Sequence, residues 1–282
     1  MSTRRRGLPI RPAWPVMAVL TVAFFCAIAG AHPGHPTDTG QAFQSRDRDR
    51  GPSLLTDEDI ALIEVYEVDL KTDPPPRIDI PKNVLEDFLK EFQEDDRVPR
   101  GKEAQDEFLR ADGVEQLSLL FTVRARDYYG KVRIKSPIKS LRDWSNLHRR
   151  YLMGYFQPAF GEGAVKGLYL FGPEFGKGRD RQRLEMTNFY ILTQVQIDGK
   201  ALIDRKAPEE SLLLQWGLPR EEAKFPAPDA QGWRPYFKDT EDRRFVEMVE
   251  WIESLISVNQ GSDYAIEYRI PGQRRESGPE DN

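Results

Sequence analysis

Hydrophobic positions along the chain fall into a few helix-like stripes separated by proline and glycine breaks. After Thr56, the acids Asp57, Glu58 and Asp59 precede Ile60 and Ile63, the signature of a capped helix start. Positions 65–70 alternate and read equally as a strand. Pro74, Pro75 and Pro76 force a break, and 77–80 read as extended. Beyond Pro81, Val84, Leu85, Phe88, Leu89 and Phe92 recur at helical spacing, and a second helical stretch opens near Lys102. Asp112-Gly113 interrupts it. Val114, Leu117, Leu120 and Phe121 carry it on to about Tyr129, where Gly130 ends it.

Alternation over 131–135 predicts a short strand before Pro137. A helix is expected over 140–156, with Leu141, Trp144, Leu147, Tyr151 and Leu152 on one face. A glycine-rich loop follows over 161–167. Residues 167–171 and 187–197 read as strands, the second ending at an Asp198-Gly199 turn. Residues 208–216 predict a short helix started by Pro208 and stopped by Gly217, with one more turn over 219–225. The clearest stripe is the last: behind a cap at Asp239 or Thr240, Phe245, Met248, Val249, Ile252, Leu255 and Ile256 share one helix face. The expected class is mainly α with a few short strands (α+β). The final stripe is expected to pack on the helix carrying Trp144, Leu147 and Tyr151, with Tyr155 and Phe160 nearby.

The ends have a different texture. Arg4, Arg5, Arg6 and Arg11 precede an apolar run over 16–29, followed by small residues. A basic start, a short apolar stretch and an A-x-A-like site after Ala29 or Ala31 predict a signal peptide over 1–31. The run falls short of the roughly 20 residues of a spanning helix, so the mature chain is expected outside the cytoplasm, periplasmic or secreted, with no stable membrane span. Residues 32–53 are polar, with an arginine–aspartate repeat, and read as a flexible leader; 271–282 read as a disordered tail. Between them, a smaller helical region over 54–138 precedes a helical domain over 139–270.

Charge and cysteine content narrow the chemistry. The 282 residues carry 41 basic and 46 acidic groups; without the first 31 residues the balance is 37 to 46. Phosphate-neutralising nucleic-acid binders are basic, so nucleic acid is not an expected partner. Cys26, the one cysteine, lies in the apolar run, which excludes an internal disulfide framework and a cysteine-built metal site from the mature chain. The glycines at 161, 163 and 167 sit between an expected helix and an expected strand, the reverse of a dinucleotide loop. His148 is the one histidine of the folding region and is expected to be partly exposed on its helix; no Ser-containing hydrolase motif accompanies it. Acidic pairs such as Glu209-Glu210 and Glu221-Glu222 read as solvated faces. His32 and His35 would lie at or near the mature N-terminus, where a free amine and imidazoles form a nitrogen-rich set suited to Cu(II).

From His148 onward, the order of motifs resembles the small cytochrome-c-like domains of exported planctomycete proteins. The resemblance rests on an aromatic-ended helix and loop, then Gly167-Leu168-Tyr169-Leu170-Phe171 and Thr187-Asn188-Phe189-Tyr190-Ile191-Leu192. It continues through Leu202-Ile203-Asp204-Arg205, Ser211-Leu212-Leu213-Leu214-Gln215-Trp216-Gly217, Gly232-Trp233-Arg234-Pro235 and a closing helix with Trp251-Ile252. It implies a helical cytochrome-c-like domain over 139–270, whose relatives hold c-type haem through two cysteines and a histidine in the loop after the helix. By position, Tyr155 and Phe160 stand here for the cysteines and Gly161 for the histidine. The resemblance thus implies a degenerate haem loop, in which Tyr155 and Phe160 fill the space of a porphyrin edge. Covalent haem is excluded, and no cofactor is expected. The function expected is a non-catalytic binding or scaffold module with a protein partner. The alternatives are electron transfer through non-covalent haem, with His148, Met153, Met186 or Met248 as axial candidates, and copper binding through His32 and His35.

Overall fold

The computed structural model describes residues 53–72, 74–161, 163–178, 180–255 and 264–272. These residues are mainly α-helical, with four two-residue strands paired in two small antiparallel sheets. Helix α1 (Asp57–Glu67) opens with a reciprocal cap: Asp59 N donates to Thr56 Oγ1 at 3.2 Å and Thr56 N to Asp59 Oδ2 at 2.9 Å. The helix runs on through Glu67, which settles the alternating 65–70 stretch in favour of helix up to that point. Strand β1 (Ile78–Asp79) pairs with β2 (Arg133–Ile134), Ile78 opposite Ile134. Between them lie α2 (Lys82–Glu91), α3 (Lys102–Arg110) and α4 (Gly113–Val123). Helix α4 stops earlier than its stripe predicts. Arg124 turns left-handed (φ 58°), and a separate 3-10 segment, Arg126–Lys131, contains Tyr129 and Gly130.

Helix α5 (Lys139–Leu147) continues without a break as a π-helical segment, His148–Phe156, and then as α6 (Gln157–Phe160). The two expected strands after it are corrected. Residues 167–171 pair with no strand; the Asn188 side chain takes the place of a ladder, donating to Phe171 O at 3.0 Å and accepting from Phe171 N at 2.9 Å. Residues 187–194 belong to α7 (Asp180–Gln194), and only β3 (Gln196–Ile197) is a strand there. Leu184 and every residue from Met186 to Thr193 are buried, so the second half of the helix has no exposed polar face to disclose its period. Asp198 (φ 49°) and Gly199 (φ 75°) make the expected tight turn into β4 (Lys200–Ala201).

The expected helix over 208–216 divides into a 3-10 turn, Pro208–Glu210, and α8 (Leu212–Gln215). The last helix, α9 (Arg243–Glu253), is capped by Asp242, whose carboxylate accepts from Arg244 N at 2.9 Å, rather than by Asp239 or Thr240. Its buried face is Phe245, Met248, Trp251 and Ile252, with Leu255 just beyond its end; Val249 is only half-buried, and Ile256 lies outside the described residues.

One contiguous core runs from Leu55 to Ile270. Its centre is aromatic. Trp144 of α5 stacks on Trp251 of α9 (centroids 5.2 Å apart), and Trp251 Nε1 donates to Ser140 O at 3.0 Å. Trp144 Nε1 donates to Glu185 O at 2.9 Å, tying α5 to α7, and Leu55 N donates to Thr187 Oγ1 at 2.9 Å, tying the start of the fold to the same helix. The final helix therefore packs on the α5 face as its stripe required.

Candidate functional site

The three positions that the resemblance sets against a haem loop lie on the π-helical segment (Tyr155), on α6 (Phe160) and just past its end (Gly161), and the structure gives each a definite environment. Phe160 is fully buried, its ring 4.9 Å from Phe156 and 5.0 Å from Trp216. Phe156 stacks flat on Trp216, 5.8 Å between centroids and 8° between planes. Tyr155 is half-buried between Tyr151 (5.4 Å) and Tyr236 (5.1 Å), and its hydroxyl donates to Trp216 O at 3.1 Å. Burial pushes the Tyr155 phenol up to about 12. The segment 213–217 is held from three sides: Tyr151 donates to Leu213 O at 2.5 Å, while Tyr155 and Trp233 both donate to Trp216 O. On the outer rim, Arg244 lies 4.6 Å from the centre of the Tyr236 ring and Arg220 4.9 Å from that of Trp233.

Gly161 closes this site against a ligand side chain. A Cβ built there would sit 2.7 Å from Gln157 O, so any larger residue forces the backbone to move. A phenol, a benzyl ring and a bare backbone thus stand at the positions the resemblance sets against two thiols and an imidazole, with Phe160 buried in the core and Tyr155 packed against it. These residues do not fit a c-type haem.

His148 is placed differently from its expectation: it is buried, 3% exposed, at the start of the π-helical segment. Its ring meets Trp144 edge-on at 5.4 Å, and Nε2 lies 3.2 Å from Asn188 Nδ2. Because Asn188 Oδ1 accepts from Phe171 N, its nitrogen end must face His148, so Nε2 accepts and the imidazole is neutral with its proton on Nδ1. Burial lowers the His148 pKa to about 4. The expectation of exposure failed because the partner that makes burial tolerable lies 40 residues further on. Met186 and Met248 are buried, and Met153 is half-buried against the core. His32 and His35 lie outside the described residues.

A second polar constellation in the core is not foreshadowed by any motif of the sequence. Glu67, at the end of α1, is 1% exposed; Glu67 Oε1 accepts from Arg205 Nη2 at 2.6 Å and from the Tyr264 hydroxyl at 2.6 Å. Arg205 was legible only as part of a Leu-Ile-Asp-Arg run, and Tyr264 follows the last stripe, so no local spacing joins them to Glu67. A shallow groove of about 240 Å³ also runs between α5 and α9, over Leu147 and Trp251, with Lys139, Asp143, Arg150 and Glu250 at its edges. Among the described residues, no cluster of three or more His, Cys, Asp or Glu side chains is placed to hold a metal ion, and no helix is long and apolar enough to cross a membrane.

Comparison of the chain with protein-family models, with curated proteins and with solved structures gave no match.

Proposed function

We propose that the chain is an exported cytochrome-c-like protein that serves as a non-catalytic binding or scaffold module, its haem space taken over by its own aromatic side chains. The observation that carries this reading is the haem-loop geometry: Phe160 buried against Phe156 and Trp216, Tyr155 bonded to Trp216 O, and Gly161 with no room for a side chain. The neutral, bonded state of His148 Nε2 supports it further, since that nitrogen already has a partner. The amino-terminal pattern of arginines, apolar run and small residues supports export, and the acidic balance of the remainder favours a protein partner over nucleic acid.

The test is purification of the protein in its exported form, followed by N-terminal sequencing and an absorption spectrum before and after denaturation. The expected result is a start at residue 30 or 32 and no Soret band in either state. A stoichiometric Soret band that disappears in a His148→Ala variant would instead establish the electron-transfer alternative.

A further inference from the structure

The last described segment, 264–272, lies on α1 and α7 with burial that alternates residue by residue, as it also does over 132–140. Tyr264 and Ile270 are buried and Ile266 and Tyr268 half-buried, whereas Ala265, Glu267 and Arg269 between them are exposed. This is a strict period of two, the pattern of an extended peptide whose alternate side chains enter pockets. The segment nevertheless belongs to neither sheet. Several side chains anchor it. The Tyr264 ring lies 5.6 Å from Tyr66, 6.0 Å from Tyr190 and 6.5 Å from Phe189. Its hydroxyl donates to Glu67 Oε1 and accepts from Arg205 Nη2, so a carboxylate and a guanidinium read both halves of one phenol. Further along, Ile266 O accepts from the Tyr190 hydroxyl at 3.4 Å. Tyr268 packs on Tyr190 at 5.7 Å and donates to Ser53 O at 2.5 Å.

We propose that the cleft formed by α1, α7 and residues 202–207 is a linear-peptide site, that residues 264–270 are its resident ligand, and that a partner's extended peptide with tyrosine first and apolar or aromatic side chains at every second position exchanges with them. The Glu67–Arg205 pair supplies the specificity. Phenylalanine at the first position withdraws a hydrogen-bond partner from each of two buried charged groups, a loss that polar sites discriminate strongly. A phosphotyrosine would drive an anion against Glu67 and is rejected. The inference gives the binding-module reading a partner class and rests on that reading for its biological sense. Its test reads peptide binding alone, so its failure leaves the haem and export results untouched, and theirs leave it untouched.

The experiment uses the full chain with Tyr264→Ala and Tyr268→Ala together, which weakens the resident segment, and a fluorescein-labelled peptide of residues 264–270 followed by fluorescence anisotropy. The variant should retain a cooperative unfolding transition and bind the peptide saturably, at least tenfold tighter than the wild-type chain does. A peptide with phenylalanine, or phosphotyrosine, in place of Tyr264 should bind at least tenfold more weakly. A folded variant that binds nothing, or that binds the tyrosine and phenylalanine peptides equally, would overturn the proposal. Loss of the cooperative transition in the variant would overturn it as well, by showing that the fold cannot stand with the segment displaced.

Discussion

His148 shows how a single side chain acquires a property its neighbours in sequence do not announce. Flanked by Leu147 and Arg149, it stands at the edge of an amphipathic stripe, yet it faces Asn188 and Trp144 in the core. In the native state its pKa is lowered to about 4, against about 6.5 when unfolded. The unfolded chain therefore binds the extra proton first, and stability falls as pH drops from about 6.5 towards 4 before levelling off. Asp95 and Asp242 have depressed pKa values, so what they contribute is lost mainly below pH 4, whereas burial raises the Glu64 pKa, so that carboxyl gains stability as pH falls and opposes the histidine. Urea unfolding of the wild type at pH 7 and pH 5 should differ by about 2 kcal/mol from this group. A His148→Gln variant, which keeps an acceptor for Asn188, should lack most of that difference; an unchanged pH dependence in the variant would show that the imidazole is not the group responsible.

At the scale of elements, legibility follows the environment of each helix. Helix α2 shows Val84, Leu85, Phe88 and Leu89 on one side and polar residues on the other, so its position could be read at once. Helix α9 was equally plain except at its cap, because Asp239, Thr240 and Asp242 all offer capping oxygens and only the backbone path selects Asp242. Helix α7 was missed for the opposite reason: from Met186 to Thr193 it is buried all round, and its Thr, Asn, Phe, Tyr and Ile residues imitate a core strand. The π-helical register was beyond reach too, since the Leu147, Tyr151 and Tyr155 positions satisfy helical spacing whether the turn holds 3.6 residues or slightly more. What this wider turn presents to the core is measurable. Phe160→Ala should cost about 3–5 kcal/mol of unfolding free energy, as expected for a fully enclosed ring. Tyr155→Phe should cost only about 1 kcal/mol, the worth of its bond to Trp216 O. Near-equal losses, or a negligible loss for Phe160→Ala, would show that the aromatic cluster is not core.

Across the whole molecule, the sequence identified the class of fold and most of its helices, but the ties that close it span long separations. Trp251 bonds to Ser140, Leu55 to Thr187, and Tyr264 to Glu67, 111, 132 and 197 residues apart respectively. Such ties depend on where helices cross and leave no local spacing to find. They bring the haem-loop positions, the buried histidine and the carboxyl-terminal segment into one continuous core. Under the proposed function this molecule gains nothing from haem, because the Phe156 and Phe160 rings that would have to leave are fully buried against Trp216. The most direct measurement is the thermal unfolding midpoint of the purified protein with and without excess hemin, recorded together with the Soret absorbance. A ligand at a hundredfold its dissociation constant adds about 2.7 kcal/mol to native stability, a rise of about 5–10 °C for a chain of this size. The expected result is no such rise and a Soret band that stays that of free hemin. A saturable rise in the midpoint, accompanied by a shifted Soret band, would contradict it.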